Sequence, residues 1–110
     1  MQDVWIAGLG TANPPMRVSQ EEIYQGYVDM IPMSDAARSL LHRIFLENDS
    51  IGFRHFAIDE PADMVRDSQD ELIARYKRFG VSVAIEAANK ALSDAGLAPG
   101  EVDAIVVNTC

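Results

Sequence analysis

The chain has 110 residues and a mass of 12.1 kDa, with 48% hydrophobic and 24% charged residues, the balance of a packed globular segment rather than a disordered or low-complexity one. Nine Lys and Arg against 17 Asp and Glu give a net charge of −8 and a pI near 4.5, so most of the surface repels phosphate backbones and anionic lipid, and nucleic acid is not an expected partner. A single cysteine, Cys110, excludes an internal disulfide, and no Cys/His group has zinc spacing, so the fold must rest on packing.

Val4-Trp5-Ile6-Ala7 is a short apolar run rich in β-branched and aromatic residues, closed by Gly8-Leu9-Gly10, and predicts a buried core strand. The absence of a cationic run and a long apolar stretch near Met1 speaks against a signal peptide or a spanning helix, and a cytoplasmic location is the expectation. Pro14 and Pro15 forbid a helix straight after the glycines, which predicts an irregular loop from Leu9 to Val18. Ser19-Gln20-Glu21-Glu22 has the spacing of a capping box, and Ile23, Tyr27, Met30 and Ile31 form the apolar face of the helix it opens, stopped by Pro32.

Ser34 can cap a second helix whose buried stripe is Ala37, Leu40, Leu41, Ile44 and Phe45, leaving Arg38, Ser39, His42 and Arg43 on the polar side. Ile51 to Ile58 predicts a strand, in which Arg54 and His55 require partners or water. Six acids between Asp59 and Glu71, against the single base Arg66 and with Pro61 among them, predict a solvated loop. The strongest periodic signal runs from Gln69 to Ala95, where Leu72, Tyr76, Phe79, Val83, Ala87 and Ala91 recur every three or four residues. Gly80, Ala84, Ala88 and Ala95, with Ala87 and Ala91, keep that helix thin enough for another backbone to come close, and Gly96 suits a left-handed C′ residue. Ala104-Ile105-Val106-Val107 is apolar on both faces and predicts a covered parallel strand, which with the preceding helix implies an α/β layer. No internal repeat or linker divides residues 1–110, so a single domain portion is expected.

Few motifs carry chemistry. Gly8-Leu9-Gly10 has Asn13 and two prolines where a dinucleotide fingerprint needs glycine and a helix start. His42 and His55 sit on different elements without metal-ligand spacing and read as structural or surface histidines. From the residues alone Cys110 is a small buried hydrophobe, or, at the carboxyl end of a strand, the wall of a ligand cavity. Arg38 and Arg43 solvate a helix face, or meet an anionic ligand.

The string Ile6-Ala7-Gly8-Leu9-Gly10-Thr11-Ala12-Asn13-Pro14-Pro15, followed by Ser19-Gln20, resembles the opening of type III polyketide synthases, the chalcone-synthase-like enzymes. Arg43-Ile44-Phe45 leading to Ser50-Ile51-Gly52-Phe53-Arg54-His55 agrees with it in order and spacing, as does Ala84 to Leu97 followed by Val102 to Cys110. Asn108-Thr109-Cys110 is closer to the bacterial branch than to the plant one.

The resemblance implies an α/β fold, the amino-terminal part of a thiolase-like architecture, with a mixed sheet covered by helices and one long buried helix. It implies decarboxylative condensation of malonyl-CoA with an acyl-CoA starter on a cysteine thiolate, with coenzyme A thioesters as substrates, no separate cofactor and a homodimeric parent enzyme. The Cys-His-Asn triad of that family matches no position here and is expected beyond residue 110, in the remainder of a longer chain. Two positions carry over: Cys110 to a cavity wall beside the nucleophile, and Arg43 to a contact with coenzyme A phosphate, with Arg38 one turn earlier as a substitute. A ketoacyl synthase III shares the fold, but its Arg-Thr-Gly-Ile loop is replaced here by Asn48-Asp49-Ser50-Ile51-Gly52. A non-catalytic fragment or interaction module is the reading from a different class.

Overall fold

A computed structural model describes residues 3–66 and 68–109. Its elements run β1 (Met16–Ser19), α1 (Gln20–Met30), α2 (Asp35–Leu46), β2 (Phe53–Phe56), α3 (Asp63–Arg66), α4 (Gln69–Ala95) and a 3-10 turn at Pro99–Glu101. The contacts gather into two compact units, one of residues 13–79 and the other of residues 1–12 with 80–110.

In the first unit β1 and β2 form an antiparallel pair in the register Met16↔Phe56 to Ser19↔Phe53. The strand at β2 was expected; β1 was not, because Met16 to Ser19 is too short to show a period and gains its extended form from the β2 ladder. Arg17, opposite His55, lies with its guanidinium 3.7 Å from the Phe53 ring centroid, two residues away on the same face. The chain then turns directly into α1. Ser19 Oγ accepts from the Glu22 amide at 3.1 Å, and the Glu22 carboxylate accepts from the Ser19 amide at 2.8 Å and from its hydroxyl at 2.7 Å, so the expected capping box is complete. Gln20 is buried beneath this corner; its amide donates to the Gly52 carbonyl and its side-chain oxygen accepts from Arg54 Nε, both at 3.0 Å. Arg54 therefore has the partner that its place in a strand requires.

The apolar interior of this unit is small. Ile23 on α1 and Ile58 just past β2 are the buried hydrophobic side chains among the described residues, 4% and 5% exposed. Helix α2 turns Ala37, Leu41 and Phe45 inward, whereas Leu40 and Ile44 stay exposed, so its packed stripe is narrower than the sequence suggested. The acidic stretch is less open than expected. Asp63 Oδ2 accepts from the Asp59 and Glu60 amides at 3.2 and 3.1 Å and stands at the start of the single turn α3. Arg78 pairs with Asp59 at 2.5 Å, and Arg75 donates to the Asp63 carbonyl at 3.3 Å. Of that stretch, Asp67 lies outside the described residues.

Helix α4 spans the predicted Gln69 to Ala95 and has a second reciprocal cap, Ser68 with Glu71, at its start. Its far end is a Schellman turn: Gly96 has φ +68°, its amide donates to the Ser93 carbonyl, and the Leu97 amide to the Leu92 carbonyl. In the second unit the small face of α4 receives the segment around Gly8 and Gly10. A Cβ on Gly8 would fall 2.7 Å from Ala95 N and 2.9 Å from Ala95 Cβ, and against the Ala91 carbonyl oxygen. One on Gly10 would meet the Ala87 oxygen and Ala91 nitrogen, with Lys90 Cβ at 2.9 Å. The Leu9 amide, between them, donates to Asp94 at 3.0 Å. The small residues thus serve the close backbone approach that they suggested.

Three further expectations fail. Val4 to Ala7 and Ala104 to Val107 are not strands; Trp5 is 82% and Val106 94% exposed. Apolar strands of this kind require ladder partners and cover on both faces, and the described residues supply neither. The long helix, correct in extent, has no residue in its 27 that is fully buried, for the same lack of cover.

Gly10→Ala should lower the stability of this packing by about 1–3 kcal/mol, because the obstructing atoms are helix backbone and cannot rotate away; Gly52→Ala, which meets open space, is the control in the same denaturant titration. The Ser19 hydrogen bonds, side chain first and backbone second, hold the Glu22 carboxyl below its ordinary value. The stabilisation this brings is present above the ordinary glutamate range and is lost as pH falls through the lowered folded-state value. Thermal melts from neutral to acid pH should show a smaller acid loss in Glu22→Gln than in the wild type, and equal losses would contradict the linkage.

Candidate functional site

The residues that sequence analysis singled out on α2 come together at its junction with α1. Ser34 starts α2 by accepting from the Ala37 amide at 3.2 Å, and this sets the phase that puts Arg38 and His42, and Ser39 and Arg43, one turn apart on one face. Two ring contacts fix α1 against that helix. Tyr27 meets Phe45 at 6.0 Å between centroids, and Tyr24 meets His42 at 5.6 Å with the ring planes 88° apart.

Between them lies a cleft of about 310 Å³ lined by Tyr24, Arg38, Ser39, His42, Arg43 and Glu47. Both arginines offered by the sequence line it. His42, expected to be a structural or surface histidine, is half-exposed and lines it too, with Nδ1 3.4 Å from Glu47 Oε1. Two guanidinium groups beside hydroxyls from Ser39 and Tyr24 form a donor set for a phosphate-like anion. The one-turn spacings are visible in the sequence; Tyr24 and Glu47 as walls are not, because Tyr24 is brought in by helix packing and Glu47 by the end of α2.

A larger cavity, about 520 Å³, lies against α1, with Ile23 and Ile58 among walls that include Met16, Met30 and Met64. Its lining residues include no cysteine, serine or histidine. Among the described residues no three His, Cys, Asp or Glu side chains are placed to hold a metal ion, and no helix is long and apolar enough to cross a membrane. Cys110, the cavity-wall candidate, lies outside the described residues.

The fold is mixed α/β, a small antiparallel pair with helices, and corresponds to a fragment of a thiolase-like fold. It is similar to the crystal structure of PKS-I from the brown alga Ectocarpus siliculosus, with a TM-score of 0.66 and 24% identity over 84% of this chain. The chain spans 28% of the length of that protein. No family model and no curated protein matches the sequence.

Proposed function

We propose that this chain is the amino-terminal portion of a type III polyketide synthase of the bacterial branch. The observation that carries the reading is the fold likeness to PKS-I over 84% of the chain, and the Gly10-Thr11-Ala12-Asn13-Pro14-Pro15 loop resembles the same enzymes. The proposed reaction transfers an acyl group from coenzyme A to a cysteine thiolate, releasing the coenzyme A thiol. Loss of carbon dioxide from malonyl-CoA then generates an enolate that attacks the acyl thioester carbonyl, forming the new carbon–carbon bond and freeing the cysteine. The cysteine, histidine and asparagine of that chemistry are assigned to residues beyond 110.

Within the chain, the proposed roles are in substrate binding. Arg43, with Arg38, contacts the phosphates of coenzyme A, and the shared cleft with Ser39 supports this because guanidinium groups pair with phosphate oxygens in two-pronged fashion. Cys110 lines the cavity in which the polyketide grows.

The 110-residue chain alone is not expected to be active, so incubation of the longer parent protein that carries the triad with an acyl-CoA starter and malonyl-CoA, followed by mass spectrometry of the products, tests the reading. Extended acyl products with release of carbon dioxide support it; acyl transfer without extension overturns it. Arg43→Ala should raise KM for coenzyme A thioesters about five- to tenfold with kcat nearly unchanged, as expected for loss of an interaction made equally in ground and transition states. Cys110→Phe should shorten the polyketide while acyl loading persists, and an unchanged product length removes Cys110 from the cavity wall.

A further inference from the structure

We infer that His42 is a third cationic ligand of the anion held between Arg38 and Arg43, so that the cleft grips a dianion more tightly in mild acid than in mild alkali. This rests on the reading of that cleft as a phosphate site. The cleft reaches the last turn of α2, where Arg43 stands and where the helix dipole presents its negative end. Backbone therefore contributes repulsion, and attraction must come from side chains. The two guanidinium groups stay charged at all working pH values, whereas an imidazole changes charge between about pH 5 and 8.

The groups that face His42 are few. Arg38 and Arg43 come from its own helix, Glu47 is the residue that ends it, and α1 contributes Tyr24, a phenol without charge in this range. Glu47 is the one carboxylate among the lining residues and pairs with His42 Nδ1 at 3.4 Å. With the imidazole protonated, three cations oppose that single carboxylate; with it neutral, two remain. Tyr24, edge-on to the imidazole, restrains the ring beside the arginines without adding charge, so the change in protonation is felt where the anion sits. Glu47 competes with the anion for the same imidazolium.

The test uses the intact protein and inorganic sulfate, which remains a dianion throughout, so that any pH dependence belongs to the protein. Affinity is read from the shifts of α2 amides in NMR titrations at low ionic strength, at about pH 5.5 and about pH 8. Sulfate should bind about threefold more tightly at the lower pH, a modest factor because the cleft is open to solvent. His42→Gln should remove that difference, and Glu47→Gln should strengthen binding at both. Equal wild-type affinities at the two pH values, or a pH dependence that survives in His42→Gln, overturn the role of His42 and leave the arginine site standing. Absence of sulfate binding at either pH, or binding indifferent to Arg43→Ala, overturns the arginine site along with it.

Discussion

Helix ends carry much of the order in this chain, because its described residues bury only two apolar side chains, Ile23 and Ile58. With so little interior, each element must satisfy its own terminal amides and carbonyls or lose them to water. Ser19 with Glu22 does this for α1, Ser34 for α2 and Ser68 with Glu71 for the start of α4. At the other end of α4, the left-handed Gly96 lets the Ser93 and Leu92 carbonyls find donors. After it, the Glu101 carboxylate accepts from the Ala98 amide at 2.8 Å across the 3-10 turn. These contacts are local in sequence and need no distant partner.

The candidate site follows from this arrangement. A cap at Ser34 sets the phase of α2, and the phase brings Arg38, Ser39, His42 and Arg43 onto one side. Two aromatic contacts from α1 then turn that side from a solvated helix face into the wall of a cleft. The same arginines without Tyr24 opposite them would be ordinary surface charges, worth little to an anion in water. The cleft itself is exposed, so its selectivity depends on how many cations converge rather than on removal of water.

Local elements were largely legible. The capping box at Ser19, the stop at Pro32, the cap at Ser34 and the exact reach of the long helix from Gln69 to Ala95 depend on side chains within a few residues of each other. The Asp59 to Glu71 stretch, expected as a solvated loop, is largely exposed but also holds the turn α3, whose order was not legible because Asp63 bonds back to two amides and the Arg78 pairing with Asp59 is nineteen residues long in sequence. Strand β1 was missed because four residues carry no period, and their extension is imposed by Phe53 to Phe56. Val4 to Ala7 and Ala104 to Val107 show the converse: apolar composition announces a strand, but a strand exists only when another chain segment completes its hydrogen bonds.

By itself, then, the sequence determined α1, α2 and α4, their caps and the small-residue face on which Gly8 and Gly10 settle, because hydrogen bonds to helix ends and the bulk of a side chain act over one or two turns. It also held the resemblance that first pointed to polyketide synthases. Only tertiary structure decided which apolar residues are covered, that Met16 to Ser19 pairs with Phe53 to Phe56, and that Tyr24 and Glu47 share a cleft with Arg38, His42 and Arg43. Those outcomes depend on contacts between segments far apart in the chain, for which no local pattern of residues supplies the geometry.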